Sequence, residues 1–297
     1  MFCGSNSTSY ICVRITQNTF VMITLNLDPA FTPFGKTGIT HKSFTFYGGE
    51  PHIKIEEGFD VNQNIIITHR LSSFNALGEV CVATDALKRM GAKNISLFIP
   101  YMPGARQDRV MVPGEPLTAK VYADIINSLS FTEVIIFDAH SDVAPALLNN
   151  VTVLPNHSFI AQVLEETGNV TLASPDAGAL KKIYKLSEYL GNANVVECGK
   201  HRDVKTGKLA GFKVYEDDLN GADILIVDDI CDGGGTFAGI ADALKAKNAG
   251  KLYLAVSHGI FSKGFEVFEG RFEKVFTTNS FRDVEENNII KQFKIQL

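Results

Sequence analysis

The chain lacks the cysteine pattern of a disulfide framework or a zinc site. Its five cysteines, Cys3, Cys12, Cys81, Cys198 and Cys231, are odd in number, scattered and never in a CxxC spacing. Such usage suits the reduced cytoplasm. An excess of basic charge is missing too: 28 Lys and Arg stand against 33 Asp and Glu, for a formal charge of −5. A nucleic-acid or membrane surface would call for a basic face, so neither partner is expected. The apolar stretch from Phe20 to Leu25 is too short for a signal core or a membrane span. No low-complexity segment occurs, and 297 residues with 45% hydrophobic content describe one large or two medium globular domains. A Walker A loop and a GxGxxG dinucleotide loop are both missing.

What the chain does have is Ile224-Leu225-Ile226-Val227-Asp228-Asp229-Ile230-Cys231-Asp232-Gly233-Gly234-Gly235-Thr236. Four consecutive aliphatics without alternation suit a strand buried on both faces, and Phe237, Ile240, Ala241 and Leu244 then follow a helical period. The element reads strand, loop, helix. Consecutive glycines allow positive φ and a close approach of N–H groups to an anion, and the helix start adds its positive dipole end. This is the pattern of a phosphate cradle. Asp228 and Asp229, at the strand end, can accept hydrogen bonds from the vicinal hydroxyls of a sugar or bind its magnesium. A sugar phosphate satisfies both halves; helix-capping acids beside a tight turn are the plainer alternative.

Strands and helices alternate along the rest of the chain. Ile65-Ile66-Ile67, Ser96 to Ile99, Val134 to Phe137 and Val170 to Leu172 read as strands, and 74–90, 115–129 and 157–167 as helices. Gly91 closes the first helix. Residues 10–27 alternate like strands, although Met22 equally suits a natural start preceded by extra residues. The order argues for α/β architecture with parallel sheets. Val134 to His140 and Ile224 to Ile230 share a strand-then-acid pattern, so two similar units are expected. Pro145, Asn149-Asn150 and Pro155 place their boundary near residue 150, dividing the chain into 1–150 and 151–297.

Four further stretches carry candidate chemistry. Pro100 to Arg109 follows a strand and offers Arg106 and Arg109, able to grip phosphate oxygens in a loop flanked by Pro and Gly. Asp138-Ala139-His140-Ser141-Asp142 stands at another strand end, where His140 is a metal ligand, a phosphate donor or merely structural. Ser174-Pro175-Asp176-Ala177-Gly178 follows a strand and also suits a helix cap. Gly199-Lys200-His201-Arg202 is a run of cations fit for phosphate transition-state charge, or else an exposed turn.

In chain order these stretches resemble the ribose-phosphate diphosphokinases (phosphoribosyl diphosphate synthetases) over approximately Thr45 to Ser280. The resemblance rests on Phe46-x-x-Gly49-Glu50, Asp85 to Arg89, Ala105 to Arg109, Glu115 to Lys120, Asp138 to His140, Ser174-Pro175-Asp176-x-Gly178, Lys200 to Arg202, Val227 to Thr236, His258 to Ser262 and Thr278 to Ser280. It implies two phosphoribosyltransferase-like α/β domains, each with a mainly parallel sheet flanked by helices. It further implies transfer of the diphosphoryl group of ATP to O1 of ribose 5-phosphate with Mg²⁺, releasing AMP.

By that resemblance, Asp232, Gly233, Gly234, Gly235 and Thr236 hold the 5-phosphate, and Asp228 and Asp229 meet the ribose hydroxyls. Arg106, Gln107 and His140 match ATP-contacting positions, and Phe46 and Glu50 match adenine contacts supplied by a neighbouring subunit of a homo-oligomer. His140 and Asp176 match magnesium-associated positions. Lys200 and Arg202 match the mobile basic pair that acts on the transferred group. The chain departs from the family at Gly48, where Asp or Asn is usual, in the uncharged Val110-Met111-Val112-Pro113-Gly114, and at Gly58-Phe59-Asp60, in place of a phosphate-regulatory stretch. A silent regulatory homologue and a phosphoribosyltransferase are the alternatives.

Overall fold

The computed structural model describes residues 10–12, 22–35, 38–202 and 209–297. The strand-like reading over 13–21 falls outside the described residues. Two compact units result, one built on Cys12–Pro155 and the other on Asn156–Lys294.

After the short strand β1 (Tyr10–Cys12), the N-terminal unit runs β2 (Met22–Asn26), β3 (His41–Thr45), β4 (Pro51–Ile55), β5 (Asn64–Thr68), α1 (Phe74–Arg89) and β6 (Ile95–Phe98). It continues through α2 (Thr118–Ser128), β7 (Glu133–Phe137), α3 (Val143–Leu147) and β8 (Val151–Leu154). Strands β2-β5-β6-β7-β8 form one wholly parallel sheet, and β3 and β4 pair as a separate antiparallel ribbon. Ile65, Ile66 and Ile67 are fully buried, which explains why this strand reads as an unbroken aliphatic run.

Helix α1 shows how local signals set an element. Ser73 Oγ accepts a hydrogen bond from Ala76 N at 3.2 Å, Lys88 and Arg89 occupy the last turn, and Gly91 takes φ +100° just beyond. The buried face, Leu77, Val80, Ala83 and Leu87, joins the core beneath the sheet. Truncating Leu87 to Ala would cost about 2–5 kcal/mol.

The C-terminal unit runs α4 (His157–Thr167), β9 (Thr171–Ser174), α5 (Leu180–Tyr189), β10 (Val195–Arg202), β11 (Leu209–Val214) and β12 (Ile224–Cys231). It ends with α6 (Gly235–Lys245), β13 (Leu252–Gly259), β14 (Lys274–Thr278) and β15 (Ile290–Gln296). The sheet order is β1-β15-β14-β13-β12-β9-β10-β11, with parallel pairing from β15 through β10 and an antiparallel β10–β11 edge. Both units are therefore α/β with mainly parallel sheets flanked by helices, and Ile224, Leu225 and Ile226 are fully buried in the second. No helix among the described residues is long and apolar enough to cross a membrane.

Candidate active site

In the C-terminal unit, the carboxyl ends of β12, β13 and β9 gather the acids. Strand β12 runs through both aspartates to Cys231, with Asp228 paired to Val256 and Cys231 to Gly259 of β13. Asp229 is buried, and its N–H donates to Asp228 Oδ1 at 2.9 Å. Burial, followed by the adjacent Asp229 charge and side chain, pushes the Asp228 carboxyl well above its usual range, and Asp176 adds to the effect. Two acids kept this close are costly without a counter-charge or a donor. The set is all oxygen, as a hard divalent cation requires. Among the described residues no three His, Cys, Asp or Glu side chains are grouped as a metal site.

Asp176 also works locally. Its Oδ1 accepts from Gly178 N at 3.0 Å and Ala179 N at 3.3 Å, ahead of α5. Ser174 Oγ donates to the Asp176 carbonyl at 2.9 Å and fixes the turn. This makes a turn ahead of α5 rather than a cap on it, since the helix starts from Ala179 with no side-chain cap bond, and a carboxylate retains further lone pairs for a ligand.

Beyond Cys231 the loop turns through Gly234 at φ +76° into α6. No side chain among the described residues caps the helix start, where N–H groups lacking an intrahelical partner point toward the loop. The loop is held from below by the segment that follows β13. Ile260 N and Phe261 N donate to the Cys231 carbonyl at 2.8 and 3.2 Å. Ser262 donates twice to Asp232, from N to the carbonyl at 3.1 Å and from Oγ to Oδ1 at 2.5 Å.

In the N-terminal unit, the loop after β6 is anchored by buried Met102 and Ala105, which leaves Arg106 and Gln107 exposed. Gln107 N donates to the Gly104 carbonyl at 2.8 Å, with Gly104 at φ +73°. Arg109 turns back onto Asp108, whose carboxylate accepts Arg109 Nε at 2.9 Å and Ser141 Oγ at 2.8 Å. The Arg109 hydrogen bond, then the one from Ser141, hold the Asp108 carboxyl below its usual range. The Ser141 bond joins this loop to the one after β7. There Asp138 is buried at φ +43°, its N–H bound to the Leu154 carbonyl at 2.8 Å, and His140 is exposed.

The β3–β4 ribbon presents Phe46 and Glu50 at an exposed tip, closed by Phe46 N to the Glu50 carbonyl at 2.9 Å. Phe44, Phe46 and His52 cluster on it, with ring centroids 4.8 to 5.6 Å apart. A Cβ on Gly48 would lie 2.5 Å from Glu50 Oε2, so the Glu50 carboxylate occupies the space of a side chain there.

Residues 30–129 match the family model described as the N-terminal domain of ribose phosphate pyrophosphokinase, and residues 155–293 match the phosphoribosyl transferase domain. The ribose-phosphate pyrophosphokinase of Mycoplasmopsis pulmonis is 32% identical over 229 residues, which cover 74% of this chain and 70% of that protein. The chain belongs to the ribose-phosphate pyrophosphokinase family. The homologue from Mycoplasma pneumoniae is 31% identical over 82% of this chain and 76% of its own length. That from Ureaplasma parvum is 35% identical, with 58% of its length covered. The crystal structure of phosphoribosylpyrophosphate synthetase from Mycobacterium smegmatis shares the fold, with a TM-score of 0.77 over 92% of this chain and 94% of that one at 22% identity.

Within this ribose-phosphate pyrophosphokinase fold, Lys200 and Arg202 lie not in an exposed turn but on β10. Lys200 pairs with Phe212 and Arg202 with Leu209, and the register shifts between His201 and Arg202. Their side chains, and residues 203–208, are outside the described part. The acids and glycines that follow β12 come together with Asp176 in the C-terminal unit, while Arg106, Gln107 and His140 stand at the carboxyl edge of the N-terminal sheet. Ser262 is the contact that sequence reasoning assigned no role. Its signal is topological, since it follows the strand paired directly to β12.

Proposed function

We propose that this chain catalyses the family's reaction, moving the β,γ-diphosphoryl group of ATP onto O1 of ribose 5-phosphate to give 5-phosphoribosyl 1-diphosphate and AMP. The observation that carries the reading is the adjacent pair of half-buried Asp228 and buried Asp229 beside a glycine-lined helix start. Acids and an anion cradle side by side suit a ligand with hydroxyls at one end and a phosphate at the other.

Asp232, Gly233, Gly234, Gly235 and Thr236 hold the 5-phosphate through backbone N–H groups, and Asp228 and Asp229 orient the ribose hydroxyls. Fixing the sugar at both ends restricts where O1 can lie, a positional contribution to rate. Arg106, Gln107 and His140 bind the triphosphate. Phe46 and Glu50 contact the adenine held by a neighbouring subunit of a homo-oligomer, a role open to an exposed ribbon tip. Lys200 and Arg202 meet the charge that develops on the transferred group. Asp176 in one unit and His140 in the other are the residues that would hold Mg²⁺ with substrate oxygens, and such an ion would neutralise phosphate charge when bound. The 1–150 half carries the nucleotide contacts and the 151–297 half the sugar phosphate, in a cytoplasmic setting.

Incubation with ATP, Mg²⁺ and ribose 5-phosphate tests the reading. AMP should form only when all three are present. Binding of both substrates without AMP would favour a regulatory homologue, and consumption of phosphoribosyl diphosphate with a free base a phosphoribosyltransferase.

A further inference from the structure

The loop Asp232 to Thr236 contains no basic residue, and the acids Asp228, Asp229 and Asp232 crowd the same end of the sheet. A phosphomonoester there would meet N–H groups but also a strongly negative field. The structure assigns the missing counter-charge to Lys263, and this rests on the sugar-phosphate reading of the site.

Lys263 is 27 residues beyond Thr236 in sequence, yet its stem lies across the loop. The place a Cβ would take on Gly233 is 3.1 Å from Lys263 Cδ and 3.4 Å from both Cγ and Cε. The ammonium, one bond past Cε, therefore lies beside the loop at Gly233. Glycine at 233 is needed for this, since any side chain there would push the lysine stem away. Among the described residues Lys263 makes no ion pair or hydrogen bond, so its charge is not committed to a protein acid.

The lysine is also aimed by a built turn. Phe261 takes φ +49° with its side chain buried, packed edge-on against Phe265 at 5.1 Å and Phe268 at 5.9 Å. Gly259 makes room for that ring, because a Cβ on it would be 2.2 Å from Phe261 Cε2. Arg282 Nη2 donates to the Phe261 carbonyl at 3.3 Å, and Ser262 clamps Asp232 on the other side. Only a lysine held at its root by such contacts can cover a loop without drifting over the surface. Its long apolar stem packs while the head stays at the anion.

Lys263 therefore binds the terminal phosphate of the sugar substrate and takes no part in the transfer itself. Lys263→Met keeps the stem and removes the charge. It should raise the ribose 5-phosphate KM about tenfold, as loss of one charge-assisted hydrogen bond does. Its kcat and ATP KM should stay within about twofold. Lys263→Arg should recover most of the affinity, and the melting temperature of both variants should match the native chain, since the residue is exposed. An unchanged ribose 5-phosphate KM in Lys263→Met, in a native chain that uses the sugar normally, overturns the assignment alone. A native chain that makes no AMP in response to ribose 5-phosphate overturns the assignment together with the reading beneath it.

Discussion

Phe268 stands where a Cβ on Gly234 would have to go: its Cζ is 2.8 Å from that point, and Val267 Cγ1 is 2.7 Å from it. With φ at +76° as well, Gly234 is fixed by packing and by backbone conformation together. Gly235 differs, since a Cβ there would meet nothing within 4 Å. Gly234→Ala should thus destabilise the protein by about 2 kcal/mol or more. Gly235→Ala should leave stability within about 0.5 kcal/mol while weakening ribose 5-phosphate binding, because the methyl enters space reserved for the ligand. Chemical denaturation and sugar-phosphate kinetics on the two variants measure this. Equal loss of stability in both would contradict it.

The Ser141–Asp108 hydrogen bond, at 2.8 Å, links the loop after β6, proposed to bind the nucleotide, to the His140 segment. Ser141→Ala should raise the ATP KM about fivefold, the effect of about 1 kcal/mol, and leave the ribose 5-phosphate KM alone. A change in the sugar constant instead would show that the bond does not serve the nucleotide.

His69 sets a pH dependence of stability. It is buried, neither ring nitrogen has a hydrogen-bond partner among the described residues, and Glu79 Oε2 lies 3.3 Å from Nε2. That contact is an ion pair only if the ring is protonated, and burial opposes this. Burial chiefly pushes its pKa down to about 4, with the Asp28 charge working the other way and Arg70 adding to the drop. Between pH 6.5 and 4 the unfolded chain therefore binds more protons than the folded one, and stability falls as pH falls, by roughly 3 kcal/mol in total. Glu79, its carboxyl raised mainly by burial and then by Asp28, has the opposite slope. Urea midpoints from pH 4 to 7 should fall more steeply with acid in the native chain than in His69→Gln. Parallel curves would place the dependence elsewhere.

Lys200→Ala and Arg202→Ala test the basic pair. Each should lower kcat by about 10²–10³ with both KM values within a few-fold, the pattern of groups that meet charge only in the transition state. A raised ATP KM with kcat intact would make the pair a substrate anchor.

Local signals were readable in the sequence, and contacts across strands were not. Helix α4 occupies the expected 157–167, because its apolar period and the flanking Gly168 are local features. Helix α2 starts at Thr118 rather than 115, since Glu115 Oε2 turns back to accept Met111 N and Val112 N at 3.1 and 3.2 Å. The β10–β11 ribbon went unread because Lys200, His201 and Arg202 interrupt any apolar alternation, and only the pairing with 209–214 makes them a strand. In the site, the Asp228–Asp229 pair and the glycine loop are contiguous and stood out. Ser262 and Lys263 reach that loop through the parallel register of Cys231 with Gly259, for which no sequence spacing gives notice.

The fate of a labelled γ-phosphate tests the central claim most directly. With γ-labelled ATP, Mg²⁺ and ribose 5-phosphate, the label should move as part of a diphosphate onto the sugar, with one unlabelled AMP for each phosphoribosyl diphosphate formed. Formation of ADP with a single labelled phosphoryl group on the sugar, or release of label as free phosphate, would contradict diphosphoryl transfer by this chain.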